Sequence, residues 1–291
     1  MKEIFDTIIL AIVQGFTEFL PVSSSGHLSL FQHFFNAQQE SKLLVTTILH
    51  LGTLFSIIIA FRHTIWKLIL EFFRLIGDVF TGKFKWKQMN AERRMILMII
   101  ISILPLFAFY IFKDIFEGIA NDSDILVEGF AFIYTGTLLM MTTKSMRGKK
   151  TAGDIKTKDA LTVGFFQGIA LVPGVSRSGS TISSALFCGM KRETAVEYSF
   201  ILGIPVIAAG ALVELLDATK SSVQINWLPL ILGFIISAVA GIIAIKLVKW
   251  LIKSDKFKIF GYYTLILGTI VITIGIIERV TGSNIVDLIR N

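Results

Sequence analysis

The stretch "QGFTEFLPVSSSGHL", residues 14–28, places a carboxylate, three consecutive serines and a histidine directly after an apolar segment. A second stretch, "QGIALVPGVSRSGST" at residues 167–181, repeats this order of an apolar segment, a proline and a cluster of hydroxyl groups. Both stretches interrupt a chain that is otherwise rich in long apolar segments. We interpret them as the tips of two hairpins that face each other inside a lipid bilayer and together bind a phosphate group.

The composition indicates a membrane protein. Of the 291 residues, 54% are hydrophobic and only 17% are charged, and the mean hydropathy is +0.73. A soluble domain of this length needs more charge to cover its surface. The net charge of +7 is explained by basic loops between membrane spans, so we expect no nucleic-acid partner. The lone cysteine, Cys188, excludes an intramolecular disulfide and a cysteine-based metal cluster.

Six segments are long and apolar enough to cross a hydrocarbon core of about 30 Å, which takes roughly 20 helical residues. They lie at about 43–62, 93–112, 125–143, 194–215, 227–246 and 259–277. The connections rich in Lys and Arg are 62–94, 144–158 and 246–258, whereas the connection 113–124 is acidic. Placing the basic connections in the cytoplasm makes all six spans alternate consistently. Within the first basic connection, residues 65–80 are predicted to form a helix at the membrane surface.

Two further apolar segments are too short to cross. Asp6–Leu20 and Asp159–Val172 extend about 21 Å as helices, which is typical of re-entrant segments. Each meets a proline, Pro21 or Pro173, which ends the helix. Short apolar runs at 28–35 and 182–190 then lead back out. We therefore predict two re-entrant helix–loop–helix hairpins, the first entering from outside and the second from the cytoplasm.

The two hairpins are related by a repeat. An offset of 153 positions, as from Gln14 to Gln167, also relates Ser23, Ser25 and Gly26 to Ser176, Ser178 and Gly179. Each hairpin is followed by a span that contains Leu-Gly, at 51–52 and at 202–203. With the opposite orientations, this pattern is typical of an inverted-topology repeat, which brings broken helices together near the membrane midplane. The predicted fold is an all-α polytopic membrane protein of one domain, 1–291, with repeats at about 1–143 and 159–277.

The second tip carries the groups that a phosphate site needs. Arg177 can clamp a phosphate through two parallel hydrogen bonds. The free N–H groups at the start of a returning helix attract anions, and hydroxyl groups in the turn add donors. The predicted phosphate ligands in this tip are Ser176, Ser178, Gly179 and Thr181. An alternative is that Arg177 only pairs with Glu18 as a structural strut.

The first tip carries reactive groups. Gln14 and Glu18 are four residues apart and share one helix face, and His27 lies three residues beyond Ser24. A serine beside a histidine and a carboxylate is the arrangement that activates a hydroxyl for attack. A histidine can also attack phosphorus itself or transfer a proton. The predicted phosphate ligands in this tip are Ser23 and Ser25. By contrast, His33, His50 and His63 are expected to have no role in the chemistry.

A divalent cation is expected to complete the site. A diphosphate is multiply negative, and Arg177 with two helix ends compensates only part of that charge in a poorly solvated cavity. We expect Mg²⁺ or Ca²⁺, held by Glu18 and Gln14 together with the phosphates. Because Gln14 is a neutral ligand, the affinity for metal should be weak without substrate.

These motifs resemble those of the undecaprenyl-diphosphate phosphatases of the bacitracin-resistance type. "QGFTEFLPVSSSGH" is similar to the family's Glu or Gln four residues before a Glu, followed by Pro-x-Ser-Ser and a His. "PGVSRSGST" is similar to the family's Pro-Gly-x-Ser-Arg-Ser-x-x-Thr. The resemblance covers essentially the whole chain. It implies hydrolysis of undecaprenyl diphosphate to undecaprenyl phosphate, the lipid carrier for cell-wall precursors, in a bacterial plasma membrane.

The resemblance also implies roles for individual residues. The implied catalytic core is Glu18, Ser24, His27 and Arg177. Many relatives carry Glu where this chain has Gln14, so a metal or proton role at that position is weakened. Accounts of the family differ on whether the serine or the histidine attacks, and we expect Ser24 as the nucleophile with His27 as its base.

The main alternative is a transporter or flippase for a lipid phosphate, because inverted repeats and anion-binding helix ends suit transport equally well. A transporter needs Arg177 and the helix ends but no nucleophile, so the pair of Ser24 and His27 favours the enzyme. In both cases the expected partners are a polyprenyl diphosphate lipid and the bilayer, and a homo-oligomer is compatible with either.

Overall fold

The structure is a computed structural model that describes residues 2–35, 42–112, 115–116, 118, 124–145, 147–218, 226–254 and 256–285. Within these ranges the chain forms eleven α-helices and no β-strand, and an isolated bridge joins Lys150 to Met190. The all-α class is therefore confirmed. Most of the acidic connection predicted at 113–124 lies outside the described residues, including Asp114, Glu117 and Asp122.

The helices of the first half of the chain are α1 (Lys2–Thr17), α2 (Ser24–Phe35), α3 (Lys42–Ala60), α4 (Arg62–Phe80), α5 (Ala91–Tyr110) and α6 (Leu126–Met141). Those of the second half are α7 (Thr157–Ile169), α8 (Arg177–Phe187), α9 (Arg192–Ala218), α10 (Trp227–Lys253) and α11 (Lys258–Thr281).

Four of the described helices, α5, α9, α10 and α11, are long and apolar enough to cross a membrane, and they match four of the six predicted spans. A fifth span results if Leu44–Ala60 and Arg62–Phe80, which meet at an angle of 86°, are counted as one bent segment. The sixth prediction, 125–143, corresponds to α6. Its 16 residues extend about 24 Å, which is shorter than a hydrocarbon core of about 30 Å.

Helix α4 covers the segment predicted to lie at the membrane surface. It buries Leu68 and Leu75 on one side, whereas Trp66 and Phe73 are exposed on the other. Arg93, at the start of α5, anchors it through ion pairs of 2.7 Å to Glu71 and 2.8 Å to Asp78. The sharp bend after α3 and this two-sided character fit a helix that lies along a surface.

Each predicted hairpin consists of a helix, a short irregular tip and a second, shorter helix. Helix α1 has 16 residues and leads through the irregular residues 18–23 into the 12 residues of α2, and this turn together with the start of α2, residues 18–28, is called tip 1. Helix α7 has 13 residues and leads through the irregular residues 170–176 into the 11 residues of α8, and this turn together with the start of α8, residues 170–181, is called tip 2. Both tips place irregular backbone and polar side chains among apolar helices.

Helices of the first half of the chain pack against helices of the second half. Helix α1 packs against α10, and α7 packs against α5. Small residues allow this close approach, because a side chain at Gly15 would collide with Ala240, and one at Gly164 with the backbone of Ser102. In lipid the hydrophobic effect does not drive helices together, and small residues allow the close backbone packing that holds them instead. This packing between the two halves brings tip 1 and tip 2 next to each other.

Candidate active site

The two tips are in direct contact. The guanidinium Nη2 of Arg177 donates a hydrogen bond of 2.7 Å to Oε1 of Glu18. The hydroxyl of Ser178 donates to the carbonyl of Leu20 at 3.2 Å, and the amide of Gly174 donates to the hydroxyl of Ser25 at 3.2 Å. Three bonds therefore join residues that are far apart in sequence.

Glu18 is the centre of this cluster, and its side chain is only 8% exposed. Arg177 contacts Oε1, while Oε2 accepts hydrogen bonds from the hydroxyl of Ser24 at 2.9 Å and from Nε2 of Gln14 at 3.0 Å. Nε2 of His50 lies 3.9 Å from the same oxygen. Burial of a carboxylate requires such compensation, and here one cation and two neutral donors provide it.

The two returning helices begin with the same capping bond. The amide of Gly26 donates to the hydroxyl of Ser23 at 3.1 Å, and the amide of Gly179 donates to the hydroxyl of Ser176 at 3.0 Å. Both bonds satisfy a helix-terminal N–H that would otherwise lack a partner. Ser23 adopts a left-handed backbone conformation, with φ at 74°, to place its hydroxyl there.

The hydroxyls of Thr181, Ser176 and Ser178 bond to protein groups around the start of α8, whereas the buried hydroxyl of Ser180 has no hydrogen-bond partner among the described residues. The hydroxyl of Thr181 donates to the carbonyl of Arg177 at 2.9 Å and lies 2.6 Å from the hydroxyl of Ser199. The hydroxyls of Ser176 and Ser178 lie 3.3 Å apart. The hydroxyls of Ser176, Ser178 and Thr181 have protein partners, and contact with phosphate stays a prediction for each of them.

The imidazole of His27 is held at both nitrogens. Nδ1 lies 2.7 Å from the carbonyl of Ser23, and Nε2 lies 2.7 Å from the hydroxyl of Tyr263. Because a carbonyl cannot donate, Nδ1 carries a proton, and in the neutral imidazole Nε2 accepts from Tyr263. The hydroxyl of Ser24 donates to Glu18 and not to His27. The structure therefore places Ser24 and His27 in one tip but does not join them by a hydrogen bond.

An apolar groove of about 410 Å³ runs from His27 along α1 and α11. The apolar residues that line it include Ile12, Val13, Phe16, Leu20, Ile259 and Phe260. His27 therefore belongs both to tip 1 and to the wall of this apolar groove.

Comparison with known proteins identifies the family. The family described as bacitracin resistance protein BacA matches residues 7–270 of the chain. The chain belongs to this family. It is 40% identical over 270 residues to the undecaprenyl-diphosphatase of Alkaliphilus metalliredigens, which covers 92% of this chain and 97% of the relative. It is 36% identical to the undecaprenyl-diphosphatase of Halothermothrix orenii, over 93% of this chain and 97% of the relative, and 37% identical to that of Thermosipho africanus, over 92% and 99%.

This BacA-family chain is a multi-pass membrane protein, as its apolar helices require. Both tips and the groove between α1 and α11 lie within the matched residues, and Tyr263 does too.

The side chains of Glu18 and Gln14 in this BacA-family chain fit a metal ion that is bound together with a phosphate-containing substrate. Among the described residues, no group of three or more His, Cys, Asp and Glu side chains could hold a metal. However, Oε1 of Gln14 is buried without a hydrogen-bond partner, and its amide is bonded to Glu18. A carboxylate and an amide oxygen suit a hard divalent cation, which commonly completes its shell with phosphate oxygens and water.

The sequence patterns do not single out four residues that contact the site, namely His50, Ser199, Gly203 and Tyr263. His50 was expected to have no role, yet it lies beside Glu18. The carbonyl of Ser199 lies 3.4 Å from Nη1 of Arg177, and a side chain at Gly203 would collide with that guanidinium. An ionisable residue inside an apolar span was the available signal for His50, and the repeated Leu-Gly pair was the signal for Gly203.

Proposed function

We propose that this BacA-family protein hydrolyses undecaprenyl diphosphate to undecaprenyl phosphate and inorganic phosphate, and so recycles the lipid carrier for cell-wall synthesis. The proposal rests on the 2.7 Å contact between Arg177 and Glu18, which gathers a guanidinium, a carboxylate and several hydroxyls, and His27 of the same tip as Glu18 lines an apolar groove. Relatives named undecaprenyl-diphosphatase that match more than nine-tenths of the chain support it. A bacterial plasma membrane is the proposed location.

We further propose that the two hairpins are re-entrant and form the centres of inverted repeats at about 1–143 and 159–277, within one membrane domain. The equivalent capping bonds of Gly26 and Gly179 support this relation, since they lie 153 positions apart. The reciprocal packing of α1 on α10 and of α7 on α5 supports it as well. Irregular backbone at membrane depth is tolerated where protein buries it or where it lines a cavity.

The proposed repeat assigns Ser24 and Arg177 to equivalent positions. Each is the first residue of a returning helix, and each contacts Glu18. We propose that the repeat divides the chemistry between them. Ser24 attacks the phosphate, and Arg177 holds it.

In the first half of the proposed reaction, Oγ of Ser24 attacks the terminal phosphorus. A bond forms between Oγ and phosphorus, and the anhydride bond to undecaprenyl phosphate breaks, so that the lipid leaves with its remaining phosphate. The proton of Ser24 passes to Oε2 of Glu18, its hydrogen-bond acceptor at 2.9 Å. Arg177 stabilises the charge on the transferred phosphoryl group.

In the second half, water attacks the phosphorus of the phosphoserine, the bond between phosphorus and Oγ breaks, inorganic phosphate leaves, and Oγ of Ser24 takes back the proton held by Glu18. Nε2 of His27, which lies 2.7 Å from the hydroxyl of Tyr263 in the resting structure, accepts a proton from this water once that hydroxyl turns away. The sequence predicts His27 as the base that takes the proton of Ser24. The hydrogen bond from Ser24 to Glu18 instead supports Glu18 as that base.

Mg²⁺ or Ca²⁺ would be held by Glu18 and by Oε1 of Gln14 together with the phosphates, and it would neutralise part of their charge.

The test is release of phosphate from a long polyprenyl diphosphate by detergent-purified protein. Ser24→Ala, His27→Ala and Arg177→Ala should each lose activity, whereas Ser254→Ala, a change at an exposed serine that ends α10, should not. Full hydrolysis by all three site variants would eliminate the site. Movement of a lipid phosphate across liposomes without phosphate release would instead favour a transporter.

A further inference from the structure

Tyr263 contacts the candidate site from a helix that carries neither sequence motif. It lies in α11, and its hydroxyl is 2.7 Å from Nε2 of His27, a residue 236 positions away. The two rings stack with centroids 5.8 Å apart and an angle of 10° between their planes. Tyr263 is 45% exposed and lines the apolar groove together with His27.

The imidazole of His27 is held from three directions. The carbonyl of Ser23 accepts from Nδ1, the ring of Phe132 packs edge-on with centroids 5.3 Å apart, and Tyr263 donates to Nε2. The bond to the carbonyl of Ser23 places the proton of the neutral ring on Nδ1. The bond to Tyr263 fixes the orientation of the ring and therefore the direction of Nε2. That lone pair faces an apolar groove, where a polar atom without a partner is costly.

We propose that Tyr263 is the positioning residue for His27. It holds the neutral imidazole with its Nε2 lone pair at the junction of the phosphate site and the apolar groove. Tyr263 acts through His27 and does not itself contact the reacting phosphate. This inference rests on the proposed function and extends it to a residue outside both motifs.

The proposal predicts a specific effect on the pH dependence. The hydroxyl of Tyr263 can donate to Nε2 of the neutral imidazole and can accept from Nε2–H of the protonated ring, and the bond to the charged ring is the stronger of the two. In Tyr263→Phe the ring remains but the donor is lost. Loss of the hydroxyl destabilises the protonated ring more than the neutral ring, so the acidic limb of the profile of kcat/KM against pH should move to lower pH. At optimal pH, kcat should fall by about three- to tenfold, the range expected for one hydrogen bond, while KM stays within about twofold.

Tyr262→Phe is the matched control. It makes the same chemical change one residue away, at a side chain that is exposed and has no hydrogen bond to His27 among the described contacts. Its pH profile and kcat should equal those of the wild type. Because Tyr→Phe preserves the aromatic ring, retained thermal stability in detergent should accompany both variants.

A second measurement separates this proposal from the proposed function. NMR of protein with ¹⁵N-labelled histidine reports the Nε2 resonance of His27 without any substrate. The resonance should shift in Tyr263→Phe and not in Tyr262→Phe. An unchanged Nε2 resonance in Tyr263→Phe would overturn the proposal, as would an unchanged pH profile. A wild-type protein that hydrolyses no polyprenyl diphosphate would defeat the proposed function, and the NMR result would still decide the contact.

Discussion

Arg177 and Glu18 form an ion pair of 2.7 Å across the two tips, although 159 positions separate them in the sequence. Their side chains are 15% and 8% exposed, so each charge would be poorly solvated without the other. Arginine has five N–H donors, and the pair with Glu18 and the carbonyl of Ser199 use only some of them. The same guanidinium can therefore keep Glu18 compensated and still bind a phosphate.

Arg177→Lys should retain the positive charge and lose most of the activity. An ammonium group is a point charge and cannot reproduce the planar fork that reaches Glu18 and a phosphate together. We expect kcat/KM for phosphate release to fall by about 10²–10³, the effect of removing a preorganised charge-stabilising donor. Activity within about threefold of the wild type would show that charge alone suffices and that the fork geometry is unimportant.

Gly203→Ala should lower the activity, although Gly203 belongs to neither motif. The added Cβ would collide with the guanidinium of Arg177 and push it away from Glu18. We expect kcat/KM to fall at least about tenfold, since small displacements of positioning groups carry large costs. Phosphate release and thermal inactivation in detergent measure the effect.

Gly210→Ala is the control for this change. It lies on the same helix, and a Cβ there would meet no atom within 4 Å. Its activity should be unchanged, and its helix should be stabilised by about 1 kcal/mol or less. Equal activities of the two alanine variants would contradict the contact between Gly203 and Arg177.

Removal of divalent cations should abolish phosphate release, and Mg²⁺ or Ca²⁺ should restore it. Gln14→Glu should lower the metal concentration that gives half-maximal activity, because it places a second carboxylate beside Glu18, where the amide of Gln14 now donates at 3.0 Å. A titration of activity against free Mg²⁺ in both proteins checks the direction. Full activity of the wild type in excess chelator would remove the metal from the mechanism.

The orientation can be checked by cysteine labelling in a Cys188→Ala background. Lys149→Cys, in a basic connection, should react with a membrane-impermeant thiol reagent only after the cytoplasmic side is exposed. Ser283→Cys, exposed just beyond α11, should react from the outside in intact cells. The reverse pattern would invert the assigned topology and exchange the sides from which the two hairpins enter.

Much of the fold follows from local features of the sequence. Apolar length predicts the helices because a chain in lipid must satisfy its backbone hydrogen bonds internally. Length and proline also predict the breaks between α1 and α2 and between α7 and α8, which the structure contains. The exception is the segment at 125–143, which hydropathy predicts as a full span and which forms a helix of only 16 residues. Hydropathy averages over a window and does not locate where a helix ends.

The sequence by itself determined which residues are chemically unusual, because Glu18, His27 and Arg177 are ionisable groups next to apolar segments where ionisation is costly. Only the tertiary structure decided their partners. Ser24 donates to Glu18, and His27 is bonded to Tyr263, because α11 and both tips converge through packing that no local pattern encodes. A hydrogen bond depends on distances of a few tenths of an ångström between residues remote in sequence, and the folded chain alone sets those distances.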